Sequence, residues 1–186
     1  MSADIGKLPS TTGPDRAAQP ALRWVAGGAV FALALAVWGS THVHTGPVVR
    51  EAALFVHLAA LVVGLGAVLV ADYLGLLWLA GRVALAEVVA GTRRLHLPIW
   101  IGLCGLVISG MFLSPDLAAA ATRVKLTLVL VLVCNGVQAL ALGRRMAAAS
   151  SGAAGGLVWR GAVTAVVSQG CWWGAMWIGF ITAEHS

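Results

Sequence analysis

Apolar runs about as long as a bilayer's hydrocarbon core is thick recur along this chain, and they constrain its fold more than any other feature. The runs cover about residues 22–40, 52–80, 95–113, 124–143 and 160–183. About 20 apolar residues in a helix cross a hydrocarbon core of roughly 30 Å. Inside lipid each backbone N–H and C=O needs a partner within the segment, which selects helices. The expectation is therefore an all-α fold: a polytopic transmembrane helical bundle with five predicted spans. The composition agrees, being 60% hydrophobic and only 10% charged, against about a quarter charged in soluble domains.

Residues 1–20 are polar and contain Pro9, Gly13, Pro14 and Pro20. They read as a disordered tail, and residues 21–186 as one transmembrane bundle. Lysine and arginine set the expected orientation. Lys7, Arg16, Arg23, Arg82, Arg93, Arg94, Arg144, Arg145 and Arg160 fall on one side, and Arg50, Arg123 and Lys125 on the other. The positive-inside rule then places the N-terminus in the cytoplasm and the C-terminus outside a cell membrane. The basic start of the first segment and the small residues Gly39 and Ser40 also suit a signal peptide. Its cleavage would leave four spans in the same orientation. The net charge of +5 is accounted for by these loop residues. No dense basic run is interleaved with aromatics, so nucleic acid is not an expected partner; the lipid bilayer is.

Between the second and third runs, residues 82–93 (RVALAEVVAGTR) read as a short helix of mixed polarity at the inner surface. His96 and Pro98 are expected near the start of the third span, where proline costs little. Residues 148–156 (AASSGAAGG) read as a flexible linker. No internal or inverted repeat is visible, which argues against many transporter architectures.

Ionisable groups inside an apolar run are costly and mark functional sites. His57 and Asp72 share the second run. At 100° per residue His57, Leu61, Gly64, Val68 and Asp72 stay within an arc of about 80°, forming a stripe that should face the bundle. His57 and Asp72 are about 22 Å apart along the axis, so they mark two layers, His57 outer and Asp72 inner. Gly64 and Ala60 offer a close approach to a neighbouring helix. By depth, the partners expected for Asp72 are Arg93, Arg94, His96 or Arg144, and Lys125 lies nearer His57. Asn135 and Gln138 sit in the fourth run, suited to interhelical hydrogen bonds or, with Asp72, to a polar path. The polar intramembrane set is thus His57, Asp72, Asn135, Gln138 and Lys125.

Three further patterns carry less defined chemistry. His42 and His44 alternate in an outer loop and, with His57 and a further ligand such as Met111, Met176 or His185, would make a copper or zinc site. Gly170 and Gly174 form a GxxxG face, and Trp172, Trp173 and Trp177 suit an outer interfacial belt. Cys104, Cys134 and Cys171 fall in three different runs, without metal or redox spacing, and read as small hydrophobes.

The succession HLAALVVGLGAVLVADYLGLLWL (57–79), Glu87, IWIGLCGLVISG (99–110), VKLTLVLVLVCNG (124–136) and SQGCWWGAMWIG (168–179) resembles a group of small, uncharacterised bacterial integral membrane proteins. It is remotely similar to copper-resistance D-type and cytochrome-b561-like helical cores. The resemblance covers about residues 50–182. The closer group implies no activity. The remote one implies haem b, with His57 or His96 as axial ligand, although such a core needs histidine pairs at matching depths.

Three functions follow as expectations. The chain is a non-enzymatic protein handling a small solute, ion or metal across the membrane; or a haem b redox protein; or an accessory or assembly subunit, with a homo-oligomeric or membrane-complex partner. No Ser/His/Asp set, phosphate loop or HExxH motif points to an ordinary enzyme.

Overall fold

The computed structural model describes residues 15–40, 42, 45–148 and 154–184. All regular structure among them is helical, in the order α1 (Asp15–Ser40), α2 (Pro47–Leu79), α3 (Leu85–Met111), α4 (Ala120–Ala148) and α5 (Ala154–Glu184). Each expected apolar run coincides with one helix, the second and third running one and two residues past the helix end. Among the described residues α2, α3 and α4 are long and apolar enough to cross a membrane. In α5 the tryptophans and the Ser168-Gln169 pair lower the hydropathy of an otherwise apolar 31-residue helix. α1 begins at Asp15, inside the segment expected as a tail; residues 1–14 lie outside the described residues, as do 149–153 of the expected linker.

α2 starts on Gly46 in extended conformation followed by Pro47. Proline suits this position because its fixed φ fits the helix and the N–H it lacks would be unpaired there. The helix stops at a Schellman turn. Gly81 has φ +69°, its N–H bonds to the Trp78 carbonyl, and the Arg82 N–H bonds to Leu77, both at 2.9 Å. Glycine takes this left-handed position without the Cβ clash that other residues meet.

α3 corrects two expectations. Residues 85–93 are not a separate surface helix but the first turns of α3, and Pro98 lies inside that helix rather than near its start. The tight Gly81 turn brings the chain straight back into α3, leaving no stretch for an independent helix. Pro98 removes one hydrogen bond and crowds the carbonyl four residues earlier.

α2 and α3 form one tightly packed hairpin, and α4 and α5 a second. The hairpins meet through α3 against α4 and α2 against α5, and α1 lies outside against α3 and α4. The core draws on all four inner helices: Leu65, Val68, Leu103, Leu132, Val133, Cys171 and Trp172. From α1, Ala36 is also buried, outside this cluster. At the end of α3, Met111 packs on Gly39 of α1, and the Thr45 hydroxyl donates to the Phe112 carbonyl at 3.1 Å.

The α2–α3 contact is the closest in the protein. A Cβ built on Gly102 would stand 2.5 Å from both Cα and N of Gly64 and 2.7 Å from the Ala60 carbonyl oxygen. One on Gly105 would stand 2.8 Å from the Ala60 Cβ. Small residues let helix backbones touch and gain dispersion contacts along their length. The expected close approach at Ala60 and Gly64 is therefore present, and its partner is α3.

The outer surface carries many large apolar side chains. Trp24, Phe31, Phe55, Leu58, Val62, Tyr73, Leu76, Ile101, Val166 and Trp177 are all more than half exposed. Soluble monomers rarely expose contiguous apolar patches above a few hundred Å².

Candidate functional site

The stripe of α2 faces the bundle, as its spacing requires: Gly64 and Val68 are buried, and His57, Leu61 and Asp72 partly so. His57 and Asp72 meet different helices, forming two polar sites with apolar packing between them.

At one end His57 of α2 meets Ser109 of α3, with Nδ1 2.9 Å from Oγ. Ser109 is 3% exposed. Its single proton goes to the Gly105 carbonyl at 2.5 Å, so its oxygen accepts and His57 Nδ1–H donates. That assignment rests on the partners and leaves Nε2 as the acceptor nitrogen of the neutral ring. Lys125 stands in the second turn of α4 and is partly buried. Beside Ser109 an apolar cleft of about 230 Å³ opens between α2 and α3, lined by Val49, Ala53, Val56, Ile108 and Phe112.

At the other end Asp72 corrects an expectation. Its partner is not Arg93, Arg94, His96 or Arg144. The Gln169 side chain of α5 donates through Nε2 to Asp72 Oδ2, and Trp173 Nε1–H donates to Gln169 Oε1 at 2.7 Å. The indole takes the amide's oxygen and so turns its N–H₂ toward the carboxylate. Arg93, Arg94 and Arg144 are exposed on the bundle surface. His96 bonds through Nδ1 to the carbonyl of Thr92, one turn back, at 2.8 Å.

The remaining polar residues are not gathered with Asp72. Asn135 Nδ2 donates to the Thr164 carbonyl of α5 at 2.9 Å, the interhelical bond its position suggests, while Gln138 is exposed. Thr164 and Gln169 are five residues apart on α5, about 140° around the helix, so Asn135 and Asp72 approach different faces of it. Cys171 is buried in the core; Cys104 and Cys134 are exposed.

The tryptophans divide. Trp172 is not in a belt. It is 2% exposed, with its ring on Gly64, whereas Trp173 and Trp177 are exposed. Of the GxxxG pair, only Gly174 has a neighbour in the bundle, Leu128 of α4; a Cβ on Gly170 would meet open space.

The donor sets for cofactors can be tested against these positions. Ser109, which holds His57, is thirteen residues from His96 on α3, about 20 Å along the axis. His57 and His96 therefore do not fit one haem. His42 stacks on Trp38 and bonds to its carbonyl at 2.9 Å, and His44 and His185 lie outside the described residues. Among the described residues no three histidine, cysteine or acidic side chains gather as a metal site.

Sequence reasoning missed Ser109, Gln169 and Trp173. A search for neutral donors at the depth of Asp72, rather than cations, would have raised Gln169.

No known protein family, curated protein or solved structure matches the chain.

Proposed function

We propose that this is a multi-pass cell-membrane protein that handles a proton or small cation, with Asp72 as the group that receives it. In this reading five helices span the membrane, the N-terminus is cytoplasmic and the C-terminus is outside. The apolar outer surface and the lysine and arginine distribution support that placement. The Asp72–Gln169–Trp173 site then lies toward the cytoplasm and the His57–Ser109 site toward the outside. The resemblance to small bacterial membrane proteins is part of the same reading.

One observation carries the functional half. Asp72 is held by a neutral amide, and among the described residues no cation pairs with it. A carboxylate in a low-dielectric bundle must be protonated or neutralised by a counter-charge. With none among the described residues, a proton or cation from solution fits that role, and such a charge is exchangeable. A second reading, haem b, has no matched histidine pair to rest on.

Infrared difference spectroscopy of the reconstituted protein tests the exchange. Steps in pH or in sodium or potassium concentration are expected to change a carboxyl band that is absent in Asp72→Asn. A spectrum insensitive to both steps, or unchanged by the substitution, refutes an exchangeable site.

A further inference from the structure

Gly64 stands midway along the α2 stripe, about 10 Å from His57 and about 12 Å from Asp72 at 1.5 Å per residue. Its missing side chain is replaced from across the bundle. The ring of Trp172 lies on it, so that a Cβ at Gly64 would be 2.7 Å from Cη2 and 3.2 Å from Cζ2. Leu65, Val68, Leu103, Leu132 and Val133 belong to the same buried cluster. The indole therefore occupies the level between the two polar sites, packed among apolar side chains.

Two buried side-chain polar atoms have no hydrogen-bond partner among the described residues, Thr164 Oγ1 and Trp172 Nε1. The second belongs to the ring that lies on Gly64. An unpaired buried donor is destabilising, and phenylalanine would supply an apolar ring at that level without that penalty. Buried polar groups in native proteins are nearly always satisfied, so an orphan points to a partner the closed arrangement does not hold. Among the described residues no acceptor lies within hydrogen-bond reach of it. Water, or the hydration shell of a cation, is the partner that fits a donor lying between two polar sites.

We propose that Trp172 is the gate between the His57 and Asp72 sites: its indole, seated on Gly64, closes the apolar constriction, and its Nε1–H bonds to entering water when the ring moves. Gly64 permits this because no side chain locks the ring edge. The inference rests on the cation-handling reading, and its test separates the two.

Cys171, adjacent to Trp172 and buried, reports water at this level. In full-length protein carrying Cys104→Ser and Cys134→Ser, reconstituted in liposomes, the labelling of Cys171 by a membrane-impermeant methanethiosulfonate is measured beside passive sodium and proton flux. Trp172→Ala is expected to raise labelling at least tenfold. Trp172→Leu, which keeps more apolar volume and guards against a misfolded alanine variant, raises it by a smaller factor. Trp172→Phe, which keeps a ring but lacks the donor, lowers labelling at least threefold below the parent. Unchanged labelling in both Trp172→Ala and Trp172→Leu overturns the gate, and Trp172→Phe labelling at the parent rate overturns the role of the N–H. The flux arm decides the other question: labelling that responds as expected, in a protein with no flux in any variant, keeps the barrier at Trp172 and removes the cation-handling reading.

Discussion

Gly102→Ala destabilises the folded protein by about 3 kcal/mol or more, at the upper end of what overpacking costs. The added methyl group would meet the Cα and N of Gly64 and the carbonyl oxygen of Ala60 at 2.5–2.7 Å. All three are backbone atoms, with no flexible side-chain end to turn aside, so α2 and α3 must separate along their whole contact. That separation also pulls Ser109 from His57, since both belong to this helix pair. Gly170→Ala is the control: a Cβ there meets nothing within 4 Å, and alanine in a helix interior is favoured over glycine by about 0.5–1 kcal/mol. Reversible unfolding of the two variants in detergent–denaturant mixtures checks the contrast. Equal midpoints would mean that the α2–α3 contact is looser than described here. A Gly170→Ala variant that keeps its stability but changes oligomeric size would instead mark that open face as a seat for a partner.

The second large effect is expected at Gln169. Gln169→Leu removes the donor to Asp72 and leaves a half-buried carboxyl group facing an alkyl chain. Hydrogen bonds to charged groups contribute about 1.5–3 kcal/mol, so a loss of about 2 kcal/mol is expected. Asp72→Leu alone strands the amide in turn. The double variant Asp72→Leu/Gln169→Leu replaces both partners with apolar groups and should recover most of the loss, because the penalty lies in the unmatched group. The double-mutant cycle measures the coupling between the two residues. Additive effects would show that the α2–α5 bond contributes nothing net. Trp173→Phe frees the amide to flip and should cost less than Gln169→Leu, because the donor itself survives.

What the sequence made legible follows from periodicity. The runs of apolar residues located all five helices, and the 100° rotation per residue identified which face of α2 turns inward. Gly64 and Ala60 announced a close helix contact because small side chains let backbones approach. Partners across the bundle were harder to see. Asp72 was matched with cations by depth alone, and depth does not say which helix stands opposite. The tryptophans show a related limit. Trp172 and Trp173 are neighbours in sequence but about 100° apart around α5. One therefore enters the core while the other stays on the surface, and a belt assigned from clustering merges them. The segment 82–93 misled for a different reason. Its charges at Arg82, Glu87, Arg93 and Arg94 read as an interfacial element, but polar turns at the end of a longer helix have the same composition. Pro98 then suggested a start that α3 had already passed.

The central claim is that Asp72 receives an exchangeable proton or cation, and flux across a sealed membrane tests it most directly. Full-length protein and its Asp72→Asn variant, matched for thermal stability, would be reconstituted in liposomes containing a pH-sensitive dye and assayed under imposed proton and sodium gradients. Wild-type protein is expected to carry flux above protein-free vesicles, and Asp72→Asn to reduce it at least tenfold while remaining folded. Wild-type flux no greater than that of empty liposomes, or equal flux in the two proteins, would contradict the account.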